Sequence, residues 1–163
     1  MNESDNACPF CNVPPSRIIA ENELGFALLG KYPVSPGHVL VCPRRHVASF
    51  FDLTEAEMVA VFCLVRETKS RCDAQLKPHG YNIGVNVGPV AGQTVSHVHV
   101  HLIPRYDGDV EDPTGGVRNV IPGKGNYRNL RANDKWSQIA TEDKEWGAPR
   151  CHQRQHGYTG SDT

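Results

Sequence analysis

Long apolar runs are missing from this chain, and so is a surplus of charge of either sign. No stretch approaches the roughly 20 apolar residues that a membrane-crossing helix needs. Met1 to Asn6 are polar and lack the apolar centre of a secretory leader, so the expectation is a cytoplasmic protein. The 17 Lys and Arg nearly cancel the 18 Asp and Glu, leaving a formal net charge of −1. Such a chain has no overall pull toward nucleic acid or an anionic membrane, and a phosphate-bearing ligand must be held by local donors. Aromatic residues make up only 7% of the sequence, and no basic aromatic face of the kind that binds nucleic acid stands out. Repeats, heptads and low-complexity blocks are absent too, which argues against solenoids and coiled coils.

What is there suits one domain: 163 residues are enough for a single core and short for two. Residues 17–20 and 25–29 read as short strands joined through Glu21-Asn22-Glu23, and a third strand runs from His38 to Cys42 after Pro36-Gly37. Thr54, followed three residues later by Glu57, carries the signature of a capping box. Behind it Met58, Val61, Phe62, Val65, Cys72 and Leu76 recur at helical spacing, and Pro78 and Gly80 end the helix. Two more strands are expected, 81–87 and 95–103, separated by Gly88-Pro89-Val90-Ala91-Gly92. Short connections and one long helix predict an α+β fold with a mixed, mostly antiparallel sheet and the helix packed on one face. After Pro104 the chain turns rich in Gly, Pro and acidic residues, and the last forty or so residues have little apolar periodicity. The expected division is a domain over residues 8–127 and a partly irregular or disordered extension over 128–163.

The chemistry concentrates in His97-Val98-His99-Val100-His101-Leu102-Ile103. In a strand, alternate side chains share a face, so His97, His99 and His101 are expected in one row, with Val98, Val100 and Leu102 toward the core. Two uses compete for such a row: binding a metal, or nucleophilic attack by one imidazole while another polarises the target. Neutral imidazole is nucleophilic near pH 7 and departs readily from phosphorus. Just upstream, Gly88 to Thr94 supplies glycines that admit a ligand close to the backbone, then the amide of Gln93 and the hydroxyl of Thr94. Joined to the histidine row, this favours phosphate.

His-Val-His-Val-His-Leu-Ile resembles the alternating motif of the histidine triad (HIT) superfamily of nucleotide hydrolases and transferases. Pro36-Gly37-His38-Val39-Leu40-Val41 is similar to its upstream segment, and Ala91-Gly92-Gln93-Thr94-Val95 to its phosphate loop. Pro104-Arg105-Tyr106 and Gly108 to Pro113 resemble a bacterial branch often labelled diadenosine polyphosphate hydrolase-like. The resemblance covers about Cys8 to Tyr127. It implies a HIT-like fold, a homodimer, and cleavage of a dinucleoside polyphosphate or related nucleotide conjugate through a covalent nucleotidyl-histidine. His99 would be the nucleophile, His101 would stabilise the phosphate oxygens, and His38 would support the array. Asn86, Gly92, Gln93 and Thr94 would bind the phosphates. Two positions depart from the family: Gly30 stands where relatives commonly carry Asp or Asn toward the ribose, and Val87 where they often carry an acid.

Six cysteines in a chain without a secretion signal suggest a reducing compartment, where a Cys-x-x-Cys pair reads as metal-binding or redox-active. Cys42 and Cys63 sit in apolar stretches and are expected to be buried. Cys8-Pro9-Phe10-Cys11 lacks the thioredoxin-like setting of a redox pair, and a tetrahedral zinc would need two more ligands. Zinc-binding members of the superfamily take them from a histidine after a Pro-basic-basic stretch and from the first triad histidine. The resemblance therefore implies structural zinc on Cys8, Cys11, His46 and His97. Two alternatives stay open: a phosphoramidase acting on P–N bonds, and a nucleotide-binding interaction module with weak catalysis.

Overall fold

Alternating side chains build a sheet with two different faces. In the computed structural model, which describes residues 8–126 and 128, five strands form one sheet: β1 (Ile18–Glu21), β2 (Gly25–Leu29), β3 (Val39–Pro43), β4 (Gly80–Val85) and β5 (Val100–Arg105). Their order is β1-β2-β3-β5-β4, and all four pairings are antiparallel. Ala27, Val39, Val41, Val100 and Leu102 face the single long helix, α1 (Glu55–Leu76), and are buried with its Val61, Leu64 and Val65. Their neighbours Phe26, Leu28, Leu40 and Cys42 face the other way, where Cys8 and Phe10 pack against them. The extension expected over 128–163 lies outside the described residues, apart from Arg128.

The capping box forms as its spacing predicts. The Thr54 hydroxyl accepts from the Glu57 backbone, and the Glu57 carboxylate accepts from the Thr54 backbone. The apolar stripe is centred differently from the expectation, however. Leu64 and Thr68 are buried, while Phe62, Leu76 and Cys63 are exposed. At about 100° per residue, Phe62 and Cys63 turn progressively away from Val61, which removes them from the sheet. Their hydrophobicity alone did not locate the stripe.

The last strand starts later than its composition suggests. Residues 95–99 are irregular and β5 begins at Val100. Pairing of β3 with β5 stops at Val41 with Val100, short of Pro43, which has no N–H to continue the ladder. Instead the His97 ring donates to the Pro43 carbonyl at 2.9 Å, and Val98 N–H donates to Val47 O at 2.8 Å. His97 to Val100 are consequently four consecutive buried residues, and the expected single row of three imidazoles is divided. His97 turns toward the Cys8 loop, while His99 and His101 remain together.

Candidate active site and metal centre

Gly37 precedes the first of these histidines at φ +81°, and a Cβ there would sit 2.5 Å from Leu76 Cδ1. The positive φ is what calls for glycine, and the turn it makes delivers His38 to the face opposite α1. There His38 meets His101, which projects from β5 between the helix-facing Val100 and Leu102. The ring bonds define the tautomers. Val34 N–H donates to His38 Nδ1 at 3.3 Å, so that nitrogen is an acceptor and Nε2 carries the proton. His38 Nε2–H then donates to His101 Nδ1 at 3.0 Å. In neutral His101 the proton is therefore on Nε2, a buried donor with no hydrogen-bond partner among the described residues. Burial, followed by the neighbouring His99 and His38, pushes the His101 pKa down to about 4 and keeps the ring neutral at pH 7. His38 is likewise lowered by burial.

His99 is arranged in the opposite sense. Its Nδ1 lies 2.8 Å from the His97 carbonyl, which only accepts, so Nδ1 carries the proton and Nε2 of the neutral ring keeps its lone pair. Its ring lies 5.0 Å from that of His101, centroid to centroid, at 65°. His38, His99, His101 and Thr94 line one cavity of about 330 Å³ together with Phe10, Leu28, Gly30 and Leu40. The two rings that line this cavity thus differ in kind, one keeping a lone pair on Nε2 and the other a buried, unpartnered Nε2–H. Gly30 lies on the wall, and a Cβ there would meet the His38 ring at an ordinary 3.5 Å.

The loop before these histidines is tied from within. Gly88 and Gly92 have φ of +84° and +87°, which glycine alone adopts readily. Gln93 Oε1 accepts from Gly88 N–H at 2.7 Å, and its Nε2 donates to Ala48 O at 2.7 Å and Val95 O at 3.1 Å. The amide braces the loop, while Thr94 reaches the cavity. Asn86 Nδ2 approaches Gly92 O at 3.5 Å across the loop's base. Arg105, a phosphate candidate by charge alone, is bound to Asp109 by two hydrogen bonds of 2.6 Å and to Asn82 by another.

Behind His99 the four expected metal ligands do come together. The ligand atoms of Cys8, Cys11, His46 and His97 lie within 4.8 Å of one another. His97 Nδ1 is 3.4 Å from Cys8 Sγ and 3.7 Å from Cys11 Sγ, and His46 Nδ1 is 3.1 Å from Cys11 Sγ. A tetrahedral zinc with bonds of about 2.3 Å to sulfur and 2.0–2.1 Å to nitrogen separates such ligands by about 3.5 Å, so the donors fit the ion. His97 Nε2–H on the Pro43 carbonyl leaves Nδ1 as the coordinating nitrogen, the usual outer partner of a metal-bound histidine. Arg45 anchors the His46 segment to α1 through two bonds to Glu57, 2.8 and 2.7 Å long. The guanidinium holds the Glu57 carboxyl down at about pH 2, with the Thr54 cap acting in the same direction.

A family model described as HIT domain matches residues 12–108. A 16.1 kDa HIT-like protein of Mycoplasma pneumoniae is 34% identical over 143 residues, covering 85% of this chain and 94% of that protein. A bis(5'-adenosyl)-triphosphatase of Dictyostelium discoideum is 41% identical over 97 residues, 60% of this chain and 65% of the relative. Among solved structures, a Zn-bound histidine triad family protein from Mycobacterium smegmatis shares 30% identity at a TM-score of 0.59, covering 64% of this chain and 79% of its own.

Proposed function

Given that the chain belongs to the HIT domain family, we propose that it hydrolyses dinucleoside polyphosphates or related nucleotide conjugates through a nucleotidyl-His99 intermediate. The observation that carries this reading is that two neighbouring rings lining one cavity are in complementary states, His99 with an Nε2 lone pair and His101 with a buried, unpartnered Nε2–H. In the first displacement His99 Nε2 forms a bond to the α-phosphorus. The bond to the leaving phosphate oxygen breaks, and that oxygen keeps the electron pair. His101 Nε2–H donates to the phosphate oxygens as they gain charge, backed by His38. The His97 carbonyl stabilises the cationic imidazole of the intermediate through Nδ1–H. Water then attacks phosphorus, the P–N bond breaks, and a nucleoside monophosphate departs as the water proton is lost to solvent.

Thr94 binds the phosphates at the cavity edge. Asn86, Gly92 and Gln93 shape the loop that presents it, and the loop's backbone N–H groups add donors. Cys8, Cys11, His46 and His97 would hold a structural zinc, which would fix the segment that presents His99. The protein works as a homodimer, a reading supported by β4, an edge strand with a half-exposed Ile83. A reducing cytoplasmic setting suits the thiol ligands. No helix among the described residues is long and apolar enough to cross a membrane.

The test is a substrate panel of diadenosine triphosphate, diadenosine tetraphosphate and adenosine 5'-phosphoramidate, read by mass spectrometry. AMP release is expected from the dinucleotides, faster than from the phosphoramidate, and none above background from His99→Ala. An active His99→Ala variant would overturn the mechanism, and preference for the phosphoramidate would move the activity to P–N bonds.

A further inference from the structure

Two residues separate the thiols of the metal cluster, and both line the nucleotide cavity: Pro9 and Phe10. They lie just ahead of residues 12–108, the span matched by the family. Phe10 is nine-tenths buried, and its ring touches a histidine on each side. It meets the edge of the ligand His97 with centroids 5.8 Å apart and the nucleophile His99 at 5.2 Å. A second link runs parallel to it, because the backbone carbonyl of His97 fixes the Nδ1 proton of His99. The short loop Cys8-Pro9-Phe10-Cys11 is held at both ends by the groups that would bind the metal. Its aromatic ring rests on the group that would attack phosphorus.

We infer that Phe10 is a positioning residue that couples the metal centre to the nucleotide cavity, so that metal binding tightens nucleotide binding and nucleotide tightens metal binding. This rests on the nucleotide reading above and extends it to the control of that same site. Closing the cluster fixes Cys8 and Cys11, and with them the wall that Phe10 contributes and its contact with His99. A nucleotide in the cavity packs against this wall and favours the same loop arrangement. Two ligands that favour one conformation must raise each other's affinity by the same factor. The loop is the physical element that both bias.

The experiment measures both halves of that cycle. AMP binding is followed by calorimetry on zinc-free and zinc-loaded protein, and zinc affinity by competition with a chromophoric chelator, with and without saturating AMP. Wild type is expected to show equal enhancement in both directions, roughly tenfold, as is common for coupled sites. Phe10→Ala retains all four ligands and the His97 carbonyl link and should still take up zinc, with the enhancement reduced to about twofold or less. Phe10→Leu should restore part of it. An enhancement as large in Phe10→Ala as in wild type overturns the inference; coupling that arises only because zinc-free protein unfolds, which circular dichroism detects, would give that result. Zinc-loaded protein whose AMP affinity equals that of zinc-free protein overturns the coupling and leaves the nucleotide reading standing. Failure to bind AMP at all overturns both, and failure to take up zinc overturns the coupling.

Discussion

Two imidazoles separated by one valine differ in which nitrogen is left available. For His99 a backbone carbonyl occupies Nδ1 and leaves a lone pair on Nε2, whereas for His101 a second histidine occupies Nδ1 and leaves a proton there. Removing that proton should affect the transition state more than the bound substrate, because the donor acts where charge develops. His101→Ala is therefore expected to lower kcat by about 10²–10³, the range for loss of one such donor, with a much smaller change in KM. Steady-state kinetics on diadenosine tetraphosphate would check it, and equal losses in binding and turnover would argue against a donor role. The histidines themselves were legible because their alternation stands out from the rest of the chain. Their tautomers were not, since these depend on Val34 N–H and the His97 carbonyl, backbone groups whose direction only the fold fixes. Gln93 shows the same limit: its amide finds Ala48, 45 positions away, which no local pattern announces.

Among the elements, the helix start and the loop carrying the candidate ligand His46 form one unit. Thr54 caps α1 through Glu57, and Glu57 in turn receives Arg45, next to the candidate ligand His46. The Glu57 pKa is lowered in the folded state from an ordinary 4.5 to about 2. The sign follows from linkage: the unfolded chain takes up a proton here more readily, so the contribution to stability is complete above about pH 4.5 and is lost as pH falls toward 2. Glu57→Gln should lower Tm near neutral pH and show a smaller further loss between pH 4.5 and 2 than wild type, as thermal scans across that window would reveal. Parallel loss in the two proteins would mean that the pair contributes nothing. Half of this unit was readable beforehand, because a capping box is a local spacing rule. The Arg45 contact was not, since a lone arginine in a loop has no periodicity to betray its partner. β5 failed in a similar way: residues 95–99 have strand composition, but the ladder stops where Pro43 has no N–H to offer.

At the scale of the whole molecule, the sheet separates two functions by its faces. One carries the core shared with α1, and the other carries the cavity, with the Cys8, Cys11, His46 and His97 group that could hold a metal behind His99. The antiparallel α+β class and the side of the sheet opposite the helix followed from strand alternation and from a single long amphipathic segment. The family resemblance implied His97 for the metal donors and His99 and His101 for the phosphates, but the backbone route that parts them was not legible, because it depends on tertiary hydrogen bonds to Pro43 and Val47. The central claim is a covalent bond between His99 and the α-phosphorus. Rapid acid-free quenching of the enzyme with diadenosine tetraphosphate, followed by peptide mass spectrometry, tests it directly. The account predicts an adenylyl adduct on His99 Nε2 that forms and decays with turnover. Steady turnover with His99 unmodified throughout, or an adduct confined to another residue, would contradict it.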